Sequence, residues 1–198
     1  EKLLEELKNE IDIPVRCIPL DLTADGAVDW YKAMLEKEKP EVAVLVNASG
    51  YGKFSAFSEL ELEEQLGMID LNVKALVAVT YVTAPYLKSG SRVYQVDSLS
   101  AFQPVPYICV YGATKAFVLS FTRAVNAEWR HTGIRMMAVC PGWVKTEFFN
   151  RAVTDDGVIT YYNRFFTADQ VVKRALRDMK KGKDVSVCGF SIRMQVLL

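Results

Sequence analysis

Histidine is almost missing from this chain: His131 is the only one among 198 residues. A site built from several imidazoles is therefore excluded. His131 falls at the end of a helical pattern just before Gly133, where a basic side chain suits the helix terminus. Cysteine is sparse, and Cys17, Cys109, Cys140 and Cys188 form no Cys-x-x-Cys pair. Most lie in apolar, strand-like runs, so they read as reduced core residues of a cytoplasmic protein. Charge of one sign is not in excess, since Lys+Arg and Asp+Glu both number 24. No basic block or stripe appears, which argues against nucleic acid as a partner. The longest apolar stretch, Ala75 to Leu87, is broken by Thr80, Thr83 and Pro85. It falls short of the roughly 20 residues that span a bilayer, so no membrane span is expected. Internal repeats, low-complexity segments and linkers are lacking as well.

What the chain has is apolar surface: 51% of its residues are hydrophobic. That suits one domain over residues 1–198 with a sizeable core. Apolar runs at Val15 to Leu20, Val42 to Val46, Arg92 to Val96, Ile134 to Cys140 and Asp184 to Cys188 are predicted strands. Helical patterns lie at Asp25 to Lys39, Glu59 to Leu87, Tyr111 to His131 and Ala168 to Lys181. A further one opens the chain at Glu1 to Asn9, and another starts at Ser191. Such alternation predicts an α/β fold, a parallel sheet with helices on both faces. The strands are near-continuously apolar, as strands covered on both sides should be.

In open sheets of this kind, ligands bind beyond the carboxyl ends of the strands. Every unusual junction of this chain lies on that rim. Asp21-Leu22-Thr23 follows the first strand and Asn47-Ala48-Ser49-Gly50 the second. Ser98 follows the third, and Pro141-Gly142-Trp143-Val144-Lys145-Thr146 the fourth. Each has a plain structural alternative. Asp21 suits a helix cap, Asn47 to Gly50 a tight turn, and Pro141-Gly142 a strand stop. Asn47 to Ser49 also spells a glycosylation sequon, which a buried strand end makes a false one.

The densest chemistry runs from Asp97 to Lys115. Ser98 sits where a strand stops, and a loop through Pro104 and Pro106 returns to Tyr111 and Lys115. Residues four apart on a helix share a face, so a phenol and an ammonium are presented together. A neighbouring cation favours the phenolate and lowers the usual tyrosine pKa of about 10. A phenol so tuned can exchange a proton with a substrate oxygen, and Ser98 can hold that oxygen.

Ser98 followed thirteen residues later by Tyr111-x-x-x-Lys115 resembles the short-chain dehydrogenase/reductase family. The resemblance covers nearly the whole chain. It implies a three-layer, doubly wound, Rossmann-like sheet. It implies an oxidoreductase that interconverts a carbonyl and a secondary alcohol with NADP or NAD. By the same likeness Tyr111 is the general acid or base, and Lys115 lowers its pKa and holds the ribose. Ser98 stabilises the oxyanion, and Asn72 in Leu71-Asn72-Val73 supports a water relay. Asp21 and Leu22 match the adenine-contacting position. Asn47, Ala48 and Gly50 match an Asn-Asn-Ala-Gly element, departing from it at Ala48 and Ser49. Pro141, Gly142, Val144 and Thr146 match the segment that cradles the nicotinamide.

The family's opening strand, its Thr-Gly-x-x-x-Gly-x-Gly turn, a helix and a second strand have no counterpart here. The expectation is that the parent protein carries them, and that without them neighbouring strands lack a ladder partner. The aromatic-rich stretch of about 147–167 (Phe148, Phe149, Tyr161, Tyr162, Phe165, Phe166, with a turn at Asp155-Asp156-Gly157) matches the substrate lid. Its rings suit either an apolar substrate or anchoring of the lid. The family also implies a homodimer or homotetramer through helices 59–87 and 111–131; a helix apolar all round equally suits the inside of a larger monomer. Two other readings stay open. One is a catalytically inactive binding or regulatory protein of the same fold. The other is a nucleotide-sugar epimerase, which would need a larger C-terminal substrate domain.

Overall fold

Four of the five predicted strands form one wholly parallel sheet, with the strands side by side in chain order. They are β1 (Val42–Asn47), β2 (Leu87–Val96), β3 (Arg135–Val139) and β4 (Val185–Ser186). The computed structural model describes residues 10, 13–148, 152 and 165–197. The predicted opening helix, most of the lid (149–151 and 153–164) and the turn at Asp155 to Gly157 lie outside the described residues.

Helices connect the strands: α1 (Ala27–Glu38), α2 (Leu62–Ile69), α3 (Leu76–Thr83), α4 (Cys109–Glu128), α5 (Ala168–Lys180) and α6 (Phe190–Leu197). Successive residues of a strand point to opposite faces. In β3, Met136 packs with Val93, Leu45, Val125 and Trp129 on the α4 side. Met137 and Val139 pack with Tyr94, Ala175 and Met179 on the α5 side. Helix α5 begins with a full capping box, Thr167 and Gln170 satisfying each other's backbone. This α/β layering is the one predicted.

α2 and α3 are one continuous helical run joined by a π-helical turn, Asp70–Ala75. With a closing 3-10 turn the run spans 25 residues, Leu62–Tyr86, long and apolar enough by itself to cross a bilayer. Its inner face is nevertheless polar in places. Gln65, Asn72, Thr80 and Thr83 are all buried, and each is hydrogen-bonded within the protein.

Two expectations fail here. Val15 to Leu20 is not a strand: no ladder partner for it exists among the described residues, and Arg16, Cys17 and Ile18 are exposed. An apolar run becomes a strand only where another strand accepts its hydrogen bonds. β1 likewise is covered on one face only, Val44 and Val46 each being 55% exposed. The cysteines divide with this. Cys140 and Cys188 are buried, but Cys17 is exposed with its segment and Cys109 on the first turn of α4.

Candidate active site

At the carboxyl end of β1, Asn47 donates from Nδ2 to Thr80 Oγ1 and to Gln95 Oε1, each at 2.9 Å. Gln95 in turn donates to Thr80 Oγ1 at 3.0 Å. This network ties β1, β2 and α3 together beneath the rim. Beyond it the chain turns past Ala48 and Ser49 to Gly50, which lies against Asn72.

Asn72 is 1% exposed and sits in the π-helical turn. Its carboxamide oxygen accepts from Tyr51 N–H at 3.0 Å. Its Nδ2 donates to the Tyr51 carbonyl at 2.9 Å and to Thr114 Oγ1 at 3.1 Å. Thr114 Oγ1 donates to the Tyr111 carbonyl at 2.7 Å. Asn72 therefore couples the rim loop to the first turns of α4. The π turn was not foreseen. Such turns carry no sequence pattern of their own, although they are frequent at functional sites.

Ser98 lies two residues past β2, in an extended conformation, and caps the short 3-10 turn Leu99–Phe102, its Oγ accepting from Ser100 N–H at 3.2 Å. Leu99 N–H donates to the Pro141 carbonyl at 3.0 Å, fastening this loop to the segment after β3. Gly142 lies close by: a Cβ there would meet Leu99 Cδ1 at 3.1 Å. Further along, Val144 forms a parallel bridge with Phe166. Thr146 is exposed, and its hydroxyl accepts from Phe148 N–H at 3.4 Å.

Tyr111 is buried on α4. Its ring is 5.7 Å from that of Phe148, and Phe54 packs edge-on to Trp143 at 6.2 Å. Gly52 makes room for the phenol, since a Cβ there would stand 2.8 Å from Tyr111 Cδ2. The Lys115 amine donates to the Val96 carbonyl at 2.8 Å and lies 5.7 Å from the centre of the Tyr111 ring.

Burial pushes the Tyr111 phenol up to about 12; Ser98 hydrogen bonding opposes the rise and the Asp97 carboxylate adds to it. Burial also lowers Lys115, which Asp97 and Cys140 counteract. The expected lowering of Tyr111 is thus not what this arrangement gives, because desolvation by burial is the largest influence on the phenol.

On the far side of β1 a cavity of about 320 Å³ opens. Leu22 and Leu20 line one wall and Asn47, Ala48 and Ser49 another. Asp21 is exposed and locally engaged: its Oδ1 accepts from Thr23 N–H at 2.9 Å and Thr23 Oγ1 at 2.7 Å. That turn precedes α1 without capping it; Gly26 holds the cap position. Of the residues singled out in the sequence, Asn72, Ser98, Tyr111, Lys115 and Gly50 come together. Leu22, Asn47 and Ala48 line the neighbouring cleft, and Asp21 is not among its lining residues.

The short chain dehydrogenase family model matches residues 1–157. The chain belongs to the short-chain dehydrogenase/reductase family. It is 30% identical over 149 residues to an uncharacterized oxidoreductase of Staphylococcus epidermidis, covering 74% of this chain and 64% of that protein. It is 33% identical over 154 residues to sulfoacetaldehyde reductase 2 of Chromohalobacter salexigens, covering 75% and 61%. The chain thus spans less than two thirds of the length of these relatives. A short-chain dehydrogenase from Sphingobium yanoikuyae, solved in complex with NADPH, superposes with a TM-score of 0.84 at 26% identity. That match covers 99% of this chain and 77% of the other.

Proposed function

We propose that this protein is an NAD(P)-dependent oxidoreductase that interconverts a carbonyl and a secondary alcohol. The observation that carries the reading is the joining of four side chains around the start of α4. Ser98 acts on Tyr111, Lys115 lies beneath the phenol, and Asn72 holds the turn of α4 that carries Tyr111 through Thr114.

The cofactor's fit rests on two features. The cleft beside β1 offers apolar walls at Leu22 and Ala48. Gly50 lets the rim backbone pack directly on Asn72, and Lys115 Nζ, 3.7 Å from where a Cβ would stand, lies at the same rim. Asn47, Ala48, Gly50, Asp21 and Leu22 would hold the dinucleotide on that side; Pro141, Gly142, Val144 and Thr146 would hold it on the other. A bound NADP or NAD supplies or takes the hydride.

In reduction, Tyr111 gives its hydroxyl proton to the substrate oxygen, and in oxidation it takes the proton back. Ser98 hydrogen-bonds the same oxygen as charge develops there. Lys115 places a positive charge beside the phenolate left behind. The high pKa of the buried phenol keeps it protonated before reaction, as an acid must be. Phe54, Trp143 and Phe148 form the wall facing Tyr111 and favour an apolar substituent on the substrate.

The same reading places the enzyme in the cytoplasm, with Cys140 and Cys188 kept as thiols. It also gives the enzyme a homodimeric or homotetrameric state. Leu62, Leu66 and Tyr81 on the α2–α3 run and Phe117 on α4 are all exposed, and α2 packs beside α4. The test is oxidation of NADPH or NADH by the intact protein against a panel of ketones and aldehydes. Turnover that depends on the carbonyl supports the reading. Absence of turnover across the panel, with no thermal shift from either dinucleotide, overturns it.

A further inference from the structure

Asp97 lies one residue before Ser98, directly after β2, and is 3% exposed. Its backbone N–H is fixed to the Val139 carbonyl at 2.8 Å. Its Oδ2 accepts from a weak donor, the Cys140 thiol, with Sγ at 3.5 Å. Its Oδ1 is buried with no hydrogen-bond partner among the described residues.

Asp178, the other buried aspartate among the described residues, is held differently. Asp178 is 2% exposed, yet it accepts from Arg174 at 2.6 Å and Ser186 at 2.9 Å and pairs with Lys183 at 3.1 Å. Those partners hold its carboxyl below the usual range. Asp178 is built to stay charged, as a structural carboxylate should be. Asp97 is not built that way. Burial pushes it up to about 7, with Lys115 and the Cys140 hydrogen bond opposing the rise.

Among the described residues the groups facing Asp97 are few, and Lys115 is held beside it, donating to the carbonyl of the preceding residue, Val96, at 2.8 Å. From α4 come Tyr111 and Lys115, and from the end of β3 comes Cys140, on which Asp184 also acts. Ser98 N–H acts from its own strand end. A charged Asp97 holds the proton more tightly on Tyr111 and on Lys115. We infer that Asp97 is a positioning residue for the Tyr111–Lys115 pair, its buried carboxyl passing between neutral and charged and so setting how readily Tyr111 gives up its proton. This rests on the assignment of Tyr111 as the acid. With Asp97 neutral, the phenolate left by proton donation faces only the Lys115 charge. With Asp97 charged, it faces a second anion, and donation is weaker.

The reductive turnover of the intact enzyme should therefore fall as pH rises through about 7, and Asp97→Asn should abolish that fall while keeping the low-pH rate. A readout free of catalysis runs beside it. The infrared band of a protonated carboxyl should appear as pH drops through the same range and be missing in Asp97→Asn. Cys140→Ser replaces a weak donor by a stronger one, so the step should move to lower pH. It also keeps the inference testable if Asp97→Asn does not fold. A pH step that persists unchanged in Asp97→Asn, or that does not move in Cys140→Ser, overturns the inference. Full turnover in Tyr111→Phe would instead overturn the acid assignment beneath it.

Discussion

Gly50 and Asn72 meet through an atom that Gly50 lacks: a Cβ there would stand 2.8 Å from the Asn72 carboxamide oxygen. That oxygen already accepts from the neighbouring Tyr51 N–H. The rim loop, the π turn and α4 are therefore joined where no side chain can be added. Gly50→Ala should force Asn72 aside, costing about 1–3 kcal/mol as overpacking does and lowering turnover with it. Chemical denaturation and steady-state rates of the same variant check this. An alanine variant with unchanged stability and rate would show that the contact is not tight.

Asp178 makes the opposite kind of buried carboxylate. Its folded pKa lies below the ordinary value. Its stabilisation is thus complete above the ordinary carboxylate range and is lost as pH falls through the folded value. Asp178→Asn leaves Arg174 and Lys183 without their anion and should cost about 3–5 kcal/mol, the range for breaking a buried pair. Half-exposed Lys183 and Arg174 bring this towards the lower end. The loss should shrink in acid, which thermal melts at several pH values will show.

Asp97 gives the reverse sign. Its folded pKa of about 7 lies above that of an unfolded aspartate, about 3.9. Between these values the folded chain keeps a proton that the unfolded chain has lost. Stability should therefore decline as pH rises from about 4 to about 7 and then level off. Asp97→Asn should remove this decline and be the more stable protein at pH 8, by melting temperature. A wild-type curve flat over that interval would contradict the assignment.

The outer faces of α2 and α4 are the oligomer interface proposed above. Phe117 is 43% exposed and stacks on Phe121 with ring centres 6.0 Å apart. Phe117→Glu places a charge in the proposed interface, which a partner subunit could not desolvate cheaply. It should shift the sedimentation of the intact protein towards monomer. An unchanged oligomer would move the interface elsewhere.

Much of this was legible in the sequence, for physical reasons. The helix carrying Tyr111 and Lys115 declares itself by its apolar spacing, although it starts at Cys109 rather than Tyr111. The ends of β1, β2 and β3 were visible because a polar or glycine residue follows each apolar run. Val15 to Leu20 misled, because β-branched composition records a preference while a ladder needs a partner. The direction of the Tyr111 shift misled as well. Helical spacing gives proximity, but burial, which sets the phenol's pKa, is a property of the fold. Asp97 was written plainly beside Ser98. What marks it is the absence of a partner for Oδ1, and no one-dimensional pattern contains an absence in space.

Removing a single oxygen decides the account most directly. Tyr111→Phe keeps the ring packed against Phe148 and Gly52 and takes away only the hydroxyl. Measured as reductive kcat in the intact enzyme with saturating dinucleotide, it should fall by at least 10²-fold, the lower end for a positioned proton donor. A variant that turns over at the wild-type rate would mean that the proton comes from somewhere else.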